Sequence, residues 1–168
     1  ATLHAAPAAA RPNILLILAG DLGASDLPAY GNAYHETPHL DRLAREGLRF
    51  TQFYAGPVCS PTRANLQSGQ DQARFGITQH IPGHRRPYAR LRDPQVPAQL
   101  PLEVVTVAEA LRDAGYATSY FGKWHLGGTG FGPREQGWDT AEEFQGHTRG
   151  ERRAAAHLAD RAIEFLGQ

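Results

Sequence analysis

The 168-residue sequence contains one cysteine, Cys59, and no methionine. A lone cysteine excludes an internal disulfide framework and leaves either a buried thiol or a reactive one. Methionine is missing even at position 1, so the chain is expected to be a processed form or an excerpt. Charge of one sign is also lacking: Lys+Arg and Asp+Glu both number 17. That balance gives no reason to expect nucleic acid or an anionic membrane as a partner. No apolar run approaches the roughly 18 residues of a membrane span. Residues 1–10 are Ala-rich, interrupted by Pro7, and show neither helical nor strand periodicity. They are expected to be a flexible N-terminal segment, left after secretory cleavage or opening a mature protein. Export (periplasmic, secreted or lysosomal-like) follows as the expected location, although no charged n-region or apolar h-region is visible.

The remaining residues, 11–168, alternate between strand-like and helix-like patterns. Residues 13–19, Asn-Ile-Leu-Leu-Ile-Leu-Ala, are continuously apolar and stop at Gly20-Asp21-Leu22-Gly23. Such a run predicts a central strand buried on both faces. Thr37 followed by Pro38 predicts a helix start, with Leu40, Leu43 and Ala44 as its apolar stripe and Gly47 as its end. Residues 48–54 alternate enough for a second strand, and residues 61–68 for a helix. Thr106 with Glu109 forms a capping-box pattern that opens a helix stopping at Gly115. Residues 116–121 predict a third strand and residues 151–166 a last amphipathic helix, with Ala155, Leu158, Ala162, Phe165 and Leu166 on one side. Residues 78–101 form a long loop rich in Pro, with Arg85, Arg86, Arg90 and Arg92. It is read either as a solvated excursion or as a functional segment. Strand–helix–strand alternation argues for an α/β layer fold. With three strands visible and none after the last helix, the chain reads as an incomplete large α/β domain.

The chemistry centres on Val58-Cys59-Ser60-Pro61-Thr62-Arg63. Pro61 suits the first turn of a helix, which places Cys59 just outside its N-terminus, where free N–H groups and the positive dipole end favour an anion. Arg63 lies one turn further on, so its forked donors sit beside the thiol. A nucleophile next to such a fork suits a tetrahedral oxyanion such as sulfate or phosphate. The same residues also fit a buried structural thiol near a surface arginine. Lys123 and His125 are two apart at a strand end, so in extended backbone they share a side; solvated side chains are the alternative. Asp21 follows the first predicted strand, where open α/β sheets place ligands; it is also read as a turn residue. His80 and His84 are four apart, but Pro82 and Gly83 between them argue against a helical zinc pair. Gly127-Gly128-Thr129-Gly130 is not followed by a helical pattern, which argues against a phosphate-cradling loop.

Cys59-x-Pro61-x-Arg63 resembles the core motif of the formylglycine-dependent sulfatases (arylsulfatase-like, alkaline phosphatase superfamily), which a maturation enzyme reads to oxidise the cysteine. Other segments are similar in order and spacing: Arg11 to Gly23, Tyr30-Gly31-Asn32, Thr37 to Ala44, Gly47 to Thr51, Gly115 to Thr118, Gly122-Lys123-Trp124-His125-Leu126-Gly127 and Gly137-Trp138-Asp139. The resemblance implies the N-terminal part of a large catalytic domain with a mixed, mostly parallel sheet flanked by helices. It implies Cys59, Arg63, Lys123 and His125 as catalytic residues, and Asp21 with residue 59 as ligands of Ca²⁺. The implied partners are a sulfate ester substrate, the maturation enzyme and a C-terminal region of the same protein. In the implied mechanism, formylglycine at position 59 is hydrated and one hydroxyl attacks sulfur, breaking the ester S–O bond so that the alcohol or phenol leaves with a proton from a neighbouring acid. The second hydroxyl then loses a proton and sulfate is expelled.

Three departures stand against this pattern. Gly20 takes the place of the first of two adjacent aspartates, Thr62 that of the usual Ser, and Gln70 that of an Arg. The later segment with a second metal pair and another Lys is absent. The isolated chain is therefore expected to be inactive. A phosphoester or phosphonate hydrolase of the same superfamily, and a non-catalytic chain that has lost its metal site, remain as alternatives.

Overall fold

The computed structural model describes residues 11–84, 86–144 and 151–168. The expected flexible segment 1–10 and Arg85 lie outside the described residues. The chain divides into two compact units, residues 1–52 and 53–168.

In the first unit the expected central strand does not form. Residues 13–19 carry no strand, and Ile14 to Leu18 are exposed, Ile17 by 79%. The expected strand at 48–54 is likewise not formed, and Leu48 and Phe50 are exposed. The physical reason is that a strand exists only as a member of a ladder whose hydrogen bonds come from a neighbour. No strand is assigned among the described residues of this unit. What forms instead is local. Two 3₁₀ turns, Ala24–Asp26 and Pro28–Tyr30, precede helix α1, Pro38–Glu46. Pro38 occupies the start of α1 and Gly47 its C-cap, as expected. Thr37 is the N-cap residue, but its hydroxyl donates to Asp41 Oδ1 at 3.1 Å rather than accepting from the helix. Tyr30 donates its hydroxyl to the Phe50 carbonyl at 2.9 Å, and the Arg49 guanidinium stands 5.4 Å over the Tyr30 ring.

The second unit holds the buried core. Helix α2 runs Cys59–Ser68, two residues earlier than the sequence pattern suggested, with Val58 as N-cap and Gly69 closing it in the left-handed region at φ 65°. Helix α3 is Val107–Asp113, opened by the expected capping box: Glu109 N–H donates to Thr106 Oγ1 at 3.3 Å and Thr106 N–H to Glu109 Oε2 at 2.8 Å. Strand β1, Ser119–Gly122, is shorter than the expected 116–121 and ends one residue later. It pairs in parallel with β2, Thr140–Glu143, in the register Ser119↔Thr140 to Gly122↔Glu143. The sequence reading missed β2, because Thr-Ala-Glu-Glu carries neither an apolar run nor β-strand alternation. Helix α4 is Glu151–Leu166, as expected. It lies against β1, where a Cβ on Gly122 would meet Leu158 at 3.7 Å.

Ala64 of α2 joins Ile77, Leu100, Trp124 and Leu126 in a fully buried cluster. Phe75, Ile81, Val104 and Tyr120 pack against it half-buried. The core therefore sits between the helix that starts at Cys59 and the segment that follows β1, which carries Lys123 and His125. Burying these side chains is what fixes the two segments against each other.

Candidate functional site

Cys59 is a free, half-buried thiol at the first position of α2. Being inside the first turn rather than just before it keeps it among the helix's unpaired N–H groups. The turn is held from behind: Thr62 N–H donates to the Val58 carbonyl at 3.1 Å and Thr62 Oγ1 to the Gly56 carbonyl at 3.0 Å. A Cβ on Gly56 would come within 2.9 Å of Thr62 N, so glycine is required for that close approach. The hydroxyl that Thr62 shares with serine is the group used here.

Arg63 does not hang free beside the thiol. Its Nη1 donates to the Tyr120 hydroxyl at 3.1 Å and to the carbonyl of Lys123. Tyr120 in turn donates to that same carbonyl. The nucleophile helix is thereby tied to the end of β1. Burial pushes the Tyr120 phenol above its ordinary value, more than Arg63 pulls it down, so the hydroxyl keeps its proton at neutral pH.

Lys123 is exposed and His125 half-buried. The expected side-sharing by strand alternation does not apply. Gly122 has φ 125° and His125 φ 59°, so the backbone is no longer extended at these positions. His125 is held by another route. Its Nε2 donates to the Ile81 carbonyl at 2.7 Å, and the Ile81 N–H donates to Ser60 Oγ at 3.0 Å. Ser60 is completely buried. The backbone of one residue of the long loop, Ile81, thus links the residue after Cys59 to His125. A carbonyl can only accept, so Nε2 carries the proton and Nδ1 of the neutral ring presents a lone pair. That Nδ1 is buried and makes no hydrogen bond among the described residues. Burial holds the imidazole below its usual value; the bond to Ile81 opposes this, and Lys123, His80 and Arg63 add to the lowering.

His80 and His84 lie nearby. Their rings meet edge-on at 4.4 Å, and the His80 ring stands 6.3 Å from that of His125. Among the described residues no group of three or more His, Cys, Asp or Glu is placed to hold a metal ion. Asp21 lies in the first unit, exposed, with left-handed backbone at φ 57°. It does not follow a strand, contrary to expectation.

The second unit therefore ties Arg63 to the Lys123 carbonyl, and His125 to Ser60, the neighbour of Cys59. Sequence reading missed the residues that make the links: Ser60, Ile81 and Tyr120. Ile81 acts through its backbone, which leaves no side-chain signal. Tyr120 reads in sequence only as a strand aromatic.

Comparison with known proteins bears on the whole chain. The family model for Sulfatase matches residues 12–166. Over 124 residues the chain is 47% identical to steryl-sulfatase of Mus musculus, covering 73% of this chain and 19% of that protein. Over 128 residues it is 50% identical to arylsulfatase A of Homo sapiens, covering 74% of this chain and 23% of that protein. Among solved structures, that of Ps i-CgsB superposes with a TM-score of 0.68 at 28% identity, covering 89% of this chain and 33% of the other. The chain thus spans about a fifth to a quarter of the length of these curated relatives. Its helices and parallel strand pair match part of the Ps i-CgsB fold, and the chain belongs to the sulfatase family.

Proposed function

We propose that this chain is the nucleophile-bearing N-terminal portion of a sulfuric ester hydrolase, with residue 59 as nucleophile after a maturation enzyme oxidises Cys59 to formylglycine. The observation that carries this reading is the network at the start of α2. There Arg63 is tied to the Lys123 carbonyl, and His125 is tied to Ser60 through the backbone of Ile81. Formylglycine would supply an oxygen nucleophile for sulfur that the thiol does not. Around it, the free N–H groups of the first turn, the unspent donors of Arg63 and the ammonium of Lys123 bind and orient sulfate oxygens. The buried Nδ1 of His125 accepts a hydrogen bond from a hydroxyl at residue 59 or on the substrate.

Calcium does not fit the residues present. A Ca²⁺ ion takes about six to eight oxygen ligands, and no group of even three candidate ligands is placed for it among the described residues. Gly20 adds no carboxylate, although nothing lies within 4 Å of a Cβ built there. No step is therefore taken through the metal. The remaining oxygens are assigned to the rest of the protein, and residues 1–168 alone are expected to hydrolyse no aryl sulfate.

The test is mass spectrometry of the peptide spanning residues 59–63 after co-production with the maturation enzyme, followed by assays of the full-length protein on 4-nitrophenyl sulfate and 4-nitrophenyl phosphate. Conversion of the thiol and sulfate-ester turnover that Cys59→Ala abolishes are the expected results. Complete retention of the thiol, beside a control sulfatase that is converted, would refute the reading. Turnover of the phosphate ester alone would move the assignment to phosphoester hydrolysis.

A further inference from the structure

We propose that Tyr120 is a positioning residue of this site: its hydroxyl bridges Arg63 and the Lys123 carbonyl and so fixes the guanidinium against the segment that carries Lys123 and His125. The geometry stands by itself; only the kinetic consequence rests on the sulfatase reading above.

Three groups close a small triangle. Arg63 Nη1 donates to the Tyr120 oxygen at 3.1 Å and to the Lys123 carbonyl, and the Tyr120 hydroxyl donates to that carbonyl. Each oxygen is thus shared and each donor is directed. One guanidinium nitrogen is spent on the triangle. Nε and Nη2 make no hydrogen bond among the described residues, which leaves the rest of the fork for an anion at the start of α2.

The ring that carries this hydroxyl is itself immobilised. Tyr120 lies 5.3 Å from the Trp124 ring and 5.3 Å from the Trp138 ring, measured between centroids. Trp124 is completely buried, and Trp138 Nε1 donates to Gln67 Oε1 of α2 at 3.2 Å. The next residue, Phe121, lies on the opposite face of β1, where the Arg161 guanidinium of α4 stands 5.5 Å over its ring. Aromatic packing therefore sets where the hydroxyl is, and the hydroxyl sets where Arg63 is. An arginine on a flexible stem needs such a partner to present a fork in one orientation. Arg63 is the residue held, and Tyr120 acts only through it.

Tyr120→Phe removes the hydroxyl and keeps the ring between the two tryptophans. The test uses the full-length protein in two arms. In the first, the unconverted protein is alkylated at Cys59 with iodoacetate and with iodoacetamide. The anionic reagent is drawn by nearby cations and the neutral one is not, so the ratio of rates reads the guanidinium. Tyr120→Phe should lower that ratio about fivefold, the effect of one neighbouring charge moving away in water. In an Arg63→Lys background the same substitution should change nothing further. An unchanged ratio, or an equal fall in the Arg63→Lys background, overturns the inference, the second outcome marking Tyr120 as merely structural. In the second arm, the converted protein is assayed on 4-nitrophenyl sulfate. Here kcat should fall about tenfold, as for loss of one hydrogen bond to a charged group, with formylglycine content and melting temperature retained. Unchanged kcat with full retention of fold also overturns the inference. A wild-type protein that does not turn over the ester would sink the proposed function, while the alkylation arm would still decide the role of Tyr120.

Discussion

Ser60→Ala tests the route by which His125 is held. Ser60 is completely buried and its Oγ accepts from the Ile81 N–H at 3.0 Å. Alanine removes one oxygen and nothing else, so that the N–H of half-buried Ile81 loses its acceptor beside a completely buried side chain. Leaving a buried donor unsatisfied costs about 1–3 kcal/mol. The cost falls on one residue, because Ile81 gives its N–H to Ser60 Oγ and its carbonyl accepts from His125 Nε2 at 2.7 Å. Opening of the backbone at Ile81 should become easier by the same amount. Amide exchange at Ile81 should then speed up by roughly fivefold to somewhat over a hundredfold. The assay is native-state hydrogen exchange, read on the peptide containing Ile81 in unconverted protein, so that maturation plays no part. Exchange within α3 should not change, since Ser60 makes no hydrogen bond to it. Ile81 exchange equal to that of the wild type would refute the argument, for it would mean that the amide has another partner and that Ser60 holds nothing. A global rise in exchange would equally refute it, by showing that Ser60 acts on the whole unit rather than on the link to His125.

His125 gives a prediction in pH. Its folded-state value lies below the ordinary 6.5, chiefly through burial, so the unfolded chain binds the proton first as pH falls. The stability that comes from keeping this ring neutral is complete above about 6.5 and is lost progressively as pH falls below it towards the lowered folded value. Melting temperature should therefore drop less between pH 7 and pH 5 for His125→Gln than for the wild type; an equal or larger drop would contradict the burial argument. Thr106 tests the start of α3. Its buried hydroxyl accepts from Glu109 N–H and donates to the Gln136 carbonyl at 2.7 Å. Thr106→Val should cost about 2–4 kcal/mol in denaturant unfolding, combining a lost cap with an orphaned carbonyl. Thr106→Ser, which loses one methyl group, should cost about 1 kcal/mol, and the reverse order would refute this account.

The sequence by itself determined what depends on neighbours along the chain. Pro38 and Gly47 bound α1, Thr106 and Glu109 open α3, Gly69 closes α2, and the apolar spacing of residues 151–166 makes α4. Each of these is a matter of caps, missing donors and a 3.6-residue period, all local. The five-residue motif at Cys59 and the Gly122 to Gly127 segment were legible in the same way, as residue types at fixed spacing. Strands were not, because a strand is defined by a partner that local pattern does not contain. Residues 13–19 look like a buried strand and are exposed, whereas Thr140–Glu143 looks like a polar stretch and pairs with β1. Within the site, sequence named the ends of the network and tertiary structure decided its links. The backbone of Ile81 joins Ser60 to His125, and the Tyr120 hydroxyl joins Arg63 to the Lys123 carbonyl. These pairs lie between 3 and 60 residues apart. Only the burial of Trp124, Leu126, Leu100, Ile77 and Ala64 around a common centre brings most of them within hydrogen-bonding reach.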